Sequence, residues 1–196
     1  GHRLQIGFDL PSADDLHRTL TETAASYLHL GWSVVPLWGD SRPEQAKVPA
    51  VAWAAYQRRR ASEQDAARWF SGTPYRGIGI VTGALSQLVV LDFDDPAPAE
   101  RFASQYPELT ATRTVLTRRG QHLYFRVPAY LRLPSRKLAG VDLLADGCYV
   151  VAPPTVIAGH AYIVERGGLP KLLASDDLTA LHAFLDRQKP DRADKP

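Results

Sequence analysis

The chain has 196 residues, 23 Lys or Arg against 21 Asp or Glu, a formal net charge of +2 and 45% apolar residues. That length supports one well-buried domain, with or without a small extra lobe. The near-neutral balance excludes a global field that would by itself draw nucleic acid. Cys148 is the one cysteine, so no disulfide forms within the chain, which fits a reducing compartment. It lies in the apolar run Cys148-Tyr149-Val150-Val151 and is expected to be a buried, inert thiol. No secretory leader pattern and no apolar stretch long enough to span a bilayer is present, so a cytoplasmic location is expected. Gly1-His2 reads as an expression scar, and the absence of Met fits one module of a longer protein that has lost its initiator.

In chain order, Ser12 opens a capping box with Asp15, and Leu16, Leu20, Tyr27 and Leu28 then share one face of a helix that should end near Gly31. Residues 33–37 read as a strand, 39–49 as a polar loop and 50–60 as a short helix. Ser62 with Asp65 forms a second capping box, for a helix that carries Trp69-Phe70 and stops at Gly72. Residues 77–83 and 88–94 read as strands, and Pro96 starts a helix to about Tyr106. Residues 112–117 and 121–127 form a hairpin or tight connection around Arg118-Arg119-Gly120. Residues 141–144 and 148–152 flank Asp146-Gly147, a hairpin signal. A strand at 161–164 and a helix capped by Ser175 and running to Asp186 follow, then a polar tail over 188–196. The class is α+β with a mixed or antiparallel sheet.

The segment Leu88-Val89-Val90-Leu91-Asp92-Phe93-Asp94-Asp95 carries the strongest chemical signal. Asp92 and Asp94 are two apart on a β-branched apolar run, so they share a face, roughly 6.5–7 Å apart along the strand. They read either as oxygen ligands for divalent cations or as solvated acids before an Asp-Pro turn. Alternation places His122, Tyr124 and Arg126 opposite Leu123 and Phe125. If the latter pair faces the core, His122 points into an open face; otherwise it is a packed or exposed histidine. Asp142 sits among apolar neighbours in Gly140-Val141-Asp142-Leu143-Leu144, where a carboxylate without a partner is costly. Three carboxylates with substrate phosphate oxygens suit Mg²⁺ or Mn²⁺, and no Cys/His set with zinc spacing competes. The basic clusters Arg58-Arg59-Arg60, Arg118-Arg119 and Arg132 with Arg136-Lys137 read more often as solvated surface than as phosphate contacts. Core packing is expected for Trp53 and Tyr124 ahead of base stacking.

The order of motifs adds a resemblance. Lys47-x-Pro49 and Trp53 precede Gly77-Ile78-Gly79-Ile80-Val81-Thr82-Gly83; Asp92-Phe93-Asp94, Gly120-Gln121-His122-Leu123-Tyr124-Phe125 and Val141-Asp142-Leu143 follow, and the series ends on residues 146–155. In this order and spacing, over roughly residues 24–164, the chain resembles the bifunctional primase–polymerase domain of the archaeo-eukaryotic primase superfamily. The resemblance implies one catalytic domain over 1–187, with an N-terminal αβ unit at about 12–83, a modified RRM-like core at about 84–165 and a C-terminal helix. It implies that Asp92, Asp94 and Asp142 hold two Mg²⁺ or Mn²⁺ ions and that His122 contacts the phosphates of the incoming nucleotide. Lys47, Arg118 and Arg119 then meet nucleotide or template. The implied activity is template-directed nucleotidyl transfer, as a DNA primase and polymerase, on single-stranded or primed template. A helicase or accessory domain in a longer chain, of plasmid or phage context in a prokaryote, is the implied partner. Relatives resemble Ser-Gly-Gly-x-His where this chain has Arg118-Arg119-Gly120-Gln121-His122, so the arginines replace a hydroxyl electrostatically or meet the template backbone. The competing readings are a non-catalytic single-stranded nucleic-acid-binding module and a metal-dependent nuclease.

Overall fold

The structure, a computed structural model, describes residues 13–191. The Ser12 cap, the Gly1-His2 dipeptide and residues 192–196 lie outside the described residues. The chain runs α1 (Ala13–His29), β1 (Val34–Leu37), α2 (Glu63–Trp69), β2 (Gly77–Val81), β3 (Leu88–Phe93), α3 (Pro96–Gln105) and α4 (Pro107–Thr110). It continues through β4 (Thr114–Leu116), β5 (Gln121–Arg126), β6 (Arg136–Leu138), β7 (Val141–Leu144), β8 (Tyr149–Ala152) and β9 (Val156–Ile157). β10 (His160–Ala161), β11 (Ile163–Arg166), β12 (Lys171–Leu172) and α5 (Ser175–Asp186) complete it.

The α+β class holds, with sheets that are antiparallel apart from one short parallel pairing. One sheet of seven strands has the order β11-β4-β5-β3-β7-β6, and β12 pairs in parallel with the end of β5 that β4 leaves uncovered. A second sheet of three has the order β1-β2-β8, and β9-β10 form a small ribbon. β3 is central because it can be: its apolar run satisfies two dry faces. Leu88 and Val90, with Val115 and Tyr124, pack into a core shared with Leu20, Trp32, Trp69 and Ile80. Val89, Leu91 and Phe93, with Leu123, Phe125 and Leu143, pack into another core against Phe102 of α3 and Phe184 of α5. The period-2 alternation thus splits each strand between two cores.

Local signals explain several boundaries. The Ser62 hydroxyl accepts the Asp65 N–H and the Asp65 carboxylate accepts the Ser62 N–H, both at 3.0 Å, so α2 starts where the capping box requires. α3 begins at Pro96, with Asp95 accepting the Ala97 N–H at 3.0 Å.

Other expectations need correction. Residues 50–60 form no α-helix; only a 3₁₀ turn at Ala54–Gln57 forms. The Ala50 N–H is drawn instead to the Pro36 carbonyl at 2.9 Å, and Pro49 bridges Leu37, which keeps the chain extended along β1. Asp146-Gly147 is not a hairpin turn: β7 belongs to the large sheet and β8 to the small one. The Asp146 carboxylate accepts the Ala84 N–H at 2.9 Å and the Leu133 N–H at 3.1 Å, clamping a crossover between sheets. β8 therefore joins β2, across the boundary expected near residue 83. The strand expected at 161–164 is broken at Tyr162, whose N–H turns to the Thr155 carbonyl at 3.0 Å. Ala174, not Ser175, stands at the cap of α5, and its N–H is taken by Asp177 at 2.9 Å. The tail is anchored where it starts: the Ala139 N–H donates to the Lys189 carbonyl at 2.8 Å and Pro190 bridges Leu138. Cys148 is half-buried rather than fully enclosed. Among the described residues, no helix is long and apolar enough to cross a membrane.

Candidate active site

Asp92 occupies the last inward-facing position of β3 on the face it shares with Leu88 and Val90. In register, its neighbour on β5 is His122 and its neighbour on β7 is Asp142. The row continues to Val115 on β4 and Lys137 on β6. Side chains directly opposite in antiparallel strands lie roughly 4.5–5.5 Å apart at Cβ. Residues thirty and fifty positions from Asp92 in the chain are thereby brought beside it on one face. Toward the Leu88 end the same face is closed by the α1–α2 core; at the acid end it opens.

His122 is 4% exposed, although it borders this opening. Its Nε2 lies 3.2 Å from Asp92 Oδ1, and the Tyr162 ring packs on it at 5.9 Å between centroids and 35° between planes. Its Nδ1 is buried and has no hydrogen-bond partner. Tyr162 is half-buried itself, and both burial and the Asp92 charge push its hydroxyl pKa up.

Asp142 accepts the Leu138 N–H at 3.3 Å. Its pKa is pushed up to about 6, first by burial and then by Asp92, with Asp94 adding to the rise; the Leu138 N–H and Lys137 oppose it. Asp94 lies one residue past β3 and donates its own N–H to the Gly140 carbonyl at 3.1 Å. Its pKa is also raised, by burial and then by Asp92, against the opposing charge of Arg119.

The turn between β4 and β5 brings in the arginines. Thr117 and Gly120 close it, the Thr117 N–H donating to the Gly120 carbonyl at 3.0 Å and the Gly120 N–H to the Thr117 hydroxyl at 3.1 Å. A Cβ at Gly120 would stand 2.0 Å from the Phe93 carbonyl oxygen, so only glycine lets this turn press onto the end of β3. Arg118 and Arg119 are carried beside Asp94 as a result. Lys47 enters from the loop after β1, where its carbonyl accepts the Tyr149 hydroxyl at 2.5 Å.

All seven residues that the resemblance assigns to the site, Lys47, Asp92, Asp94, Arg118, Arg119, His122 and Asp142, line one cleft of about 560 Å³, whereas the clusters Arg58-Arg59-Arg60 and Arg132 with Arg136-Lys137 lie outside it. Thr117, Tyr149, His160 and Tyr162 line it too. Of these, Thr117 adjoins the arginine pair, and His160 and Tyr162 have the i, i+2 spacing of a shared face; those were the available signals. Trp53 and Tyr124 do not line it: Trp53 packs edge-on to Tyr149 at 5.0 Å and Tyr124 against Trp32 at 5.7 Å.

The donor chemistry fits a hard divalent cation. Three carboxylates face one opening, and the pKa values of Asp94 and Asp142 are raised first by burial and then by the neighbouring Asp92 charge. As they stand the side chains do not converge on one point: among the described residues, no group of three or more His, Cys, Asp or Glu forms a ready-made metal cluster.

A family model described as "Bifunctional DNA primase/polymerase, N-terminal" matches residues 24–178, most of the chain and every residue of this cleft. A search of the curated proteins returns no match.

Proposed function

Because the chain belongs to the family of bifunctional DNA primase/polymerase N-terminal domains, we propose that it joins nucleoside triphosphates along a nucleic-acid template at the Asp92–His122–Asp142 row. Asp92, Asp94 and Asp142 are the residues that would hold two divalent cations, Mg²⁺ or Mn²⁺. When bound, such ions offset charge on the triphosphate and make the attacking 3′-hydroxyl more acidic. Phosphoryl transfer asks little covalent work of the protein, so positioning and charge compensation carry the reaction.

The chain's own residues divide that work. Asp92 is fixed from two sides, by the β3 backbone and by His122 Nε2. Asp142 is oriented by the Leu138 N–H. Arg118 and Arg119, set on a turn that glycine at position 120 lets sit against the Phe93 carbonyl, put positive charge where phosphates enter. Lys47 lines the same cleft. His122 Nδ1 is buried, so its imidazole reaches a phosphate oxygen through Nε2, in exchange for Asp92.

The observation that carries this reading is the register: one histidine and two acids on three adjacent strands, in a single row at the mouth of a cleft with cationic walls. The test is incubation with labelled nucleotides, Mn²⁺ or Mg²⁺, and either primed or unprimed single-stranded template. Extension of the primer or synthesis without one supports the proposal. Shortening of the template would instead indicate a nuclease, and a mobility shift alone a binding module.

A further inference from the structure

On the opposite face of the large sheet, α3 and α5 leave a second cleft, of about 580 Å³, between them. Its wall adjoins the acid end of β3. Asp95, next to Asp94, is in its wall, and so is Gly140, whose carbonyl holds the Asp94 N–H at 3.1 Å.

Three cations line this second cleft: Arg101, Arg187 and Lys189. Arg101 of α3 donates to the Gln188 side-chain carbonyl at 3.1 Å. Arg187, just past α5, donates to the Gln105 side-chain carbonyl at 3.1 Å and to the Tyr106 hydroxyl at 3.2 Å. The two helices are thus cross-braced by arginine–glutamine pairs. The acceptors are neutral, so they orient the guanidinium groups without cancelling their charge. Among the described residues, none of the three cations lies within ion-pair distance of a carboxylate. Asp95, the acid in the wall, turns one carboxylate oxygen to the Ala97 N–H. Phe184 and Pro98, both buried, give the cleft an apolar floor.

Arginines held by neutral partners, with no ion pair among the described residues, over an apolar floor suit a polymer that alternates phosphates with flat rings. We infer that this cleft holds a single-stranded segment of the template as it passes around the end of β3 to the acid row. The inference rests on the template-directed reading above. An acidic peptide shares the charge but would have no reason to run continuously from the cleft that binds the triphosphate.

The experiment uses the whole 196-residue chain and a fluorescein-labelled oligothymidylate of about 20 nucleotides, longer than one footprint. Anisotropy is read between about 50 and 200 mM salt. The Arg101→Gln/Arg187→Gln/Lys189→Gln variant should bind at least about tenfold more weakly, with the salt slope shallower by about 2, as three lost phosphate contacts require. Lys189→Gln alone, at an exposed position, should show a smaller loss in the same direction and guards against a folding defect in the triple variant. Single-nucleotide incorporation on saturating primed template should keep its kcat in both. If the wild type extends primers while the triple variant keeps wild-type affinity and slope, the inference falls and the function stands. If the wild type incorporates nothing yet the triple variant loses the oligonucleotide, the cleft stands and the catalytic reading falls. A polyglutamate peptide that binds the wild type and not the triple variant, with oligonucleotide affinity equal in the two, would overturn the template assignment.

Discussion

Asp142 stands directly opposite Asp92 across the β3–β7 ladder, so two carboxylates are cross-strand neighbours. Cross-strand acids of this kind destabilise a sheet, and a fold keeps them only where something else gains. Asp142→Asn keeps the side-chain oxygen that accepts the Leu138 N–H and removes the charge. In EDTA near neutral pH this variant should be more stable than the wild type by about 1 kcal/mol, while nucleotide incorporation is lost. A thermal melt showing the variant less stable would mean that repulsion across the ladder is not the governing term.

The same pair predicts a pH dependence. The folded Asp142 has its pKa raised from 3.8 to about 6, so between those values the folded chain holds a proton that the unfolded chain has released. More protons on the folded side means that this group lowers stability as pH rises through that window. Its penalty is absent below about 4 and complete above about 6. Metal-free melting temperatures should therefore carry a downward contribution across this range that Asp142→Asn abolishes. Manganese uptake, followed by calorimetry, should strengthen across the same range because binding must expel the proton.

Asp92→Ala and Asp94→Ala should each cut incorporation at least about a hundredfold while oligonucleotide binding stays close to wild type. Synthesis that persists in both would remove the acids from the reaction. His122→Ala should act differently, raising KM for the nucleotide by about tenfold with a smaller fall in kcat. Steady-state kinetics with neither parameter changed would take His122 out of the triphosphate site.

Gly120→Ala tests the turn. Its Cβ would meet the Phe93 carbonyl oxygen at 2.0 Å, which backbone cannot relieve without moving β3 or the arginine pair. A loss of about 1–3 kcal/mol is expected, together with weaker nucleotide binding. A variant that melts and binds like the wild type would show that the turn is free to retreat.

Much of this was legible in the amino-acid order because the signals were local. The run Leu88–Phe93 could only be a strand with two dry faces, Ser62 and Asp65 could cap only one helix, and alternation placed His122 away from Leu123 and Phe125. What was illegible depends on partners far along the chain. Asp146-Gly147 has the chemistry of a hairpin, but the Asp146 carboxylate is used by Ala84 and Leu133, a choice no window of ten residues contains. Tyr162 has the side chain of a strand residue, but its backbone N–H turns to Thr155, seven residues back and outside the local alternation. The arginine–glutamine braces between α3 and α5 join positions more than eighty apart.

β3 is hydrogen-bonded along both edges and covered by a core on each face. Such a segment is the last to open, so its amides should be among the slowest in the molecule to trade hydrogen for deuterium. Asp92 rides on that segment. Partial unravelling of the termini or of the β9–β10 ribbon would leave its placement intact, and loss of that placement should coincide with global unfolding.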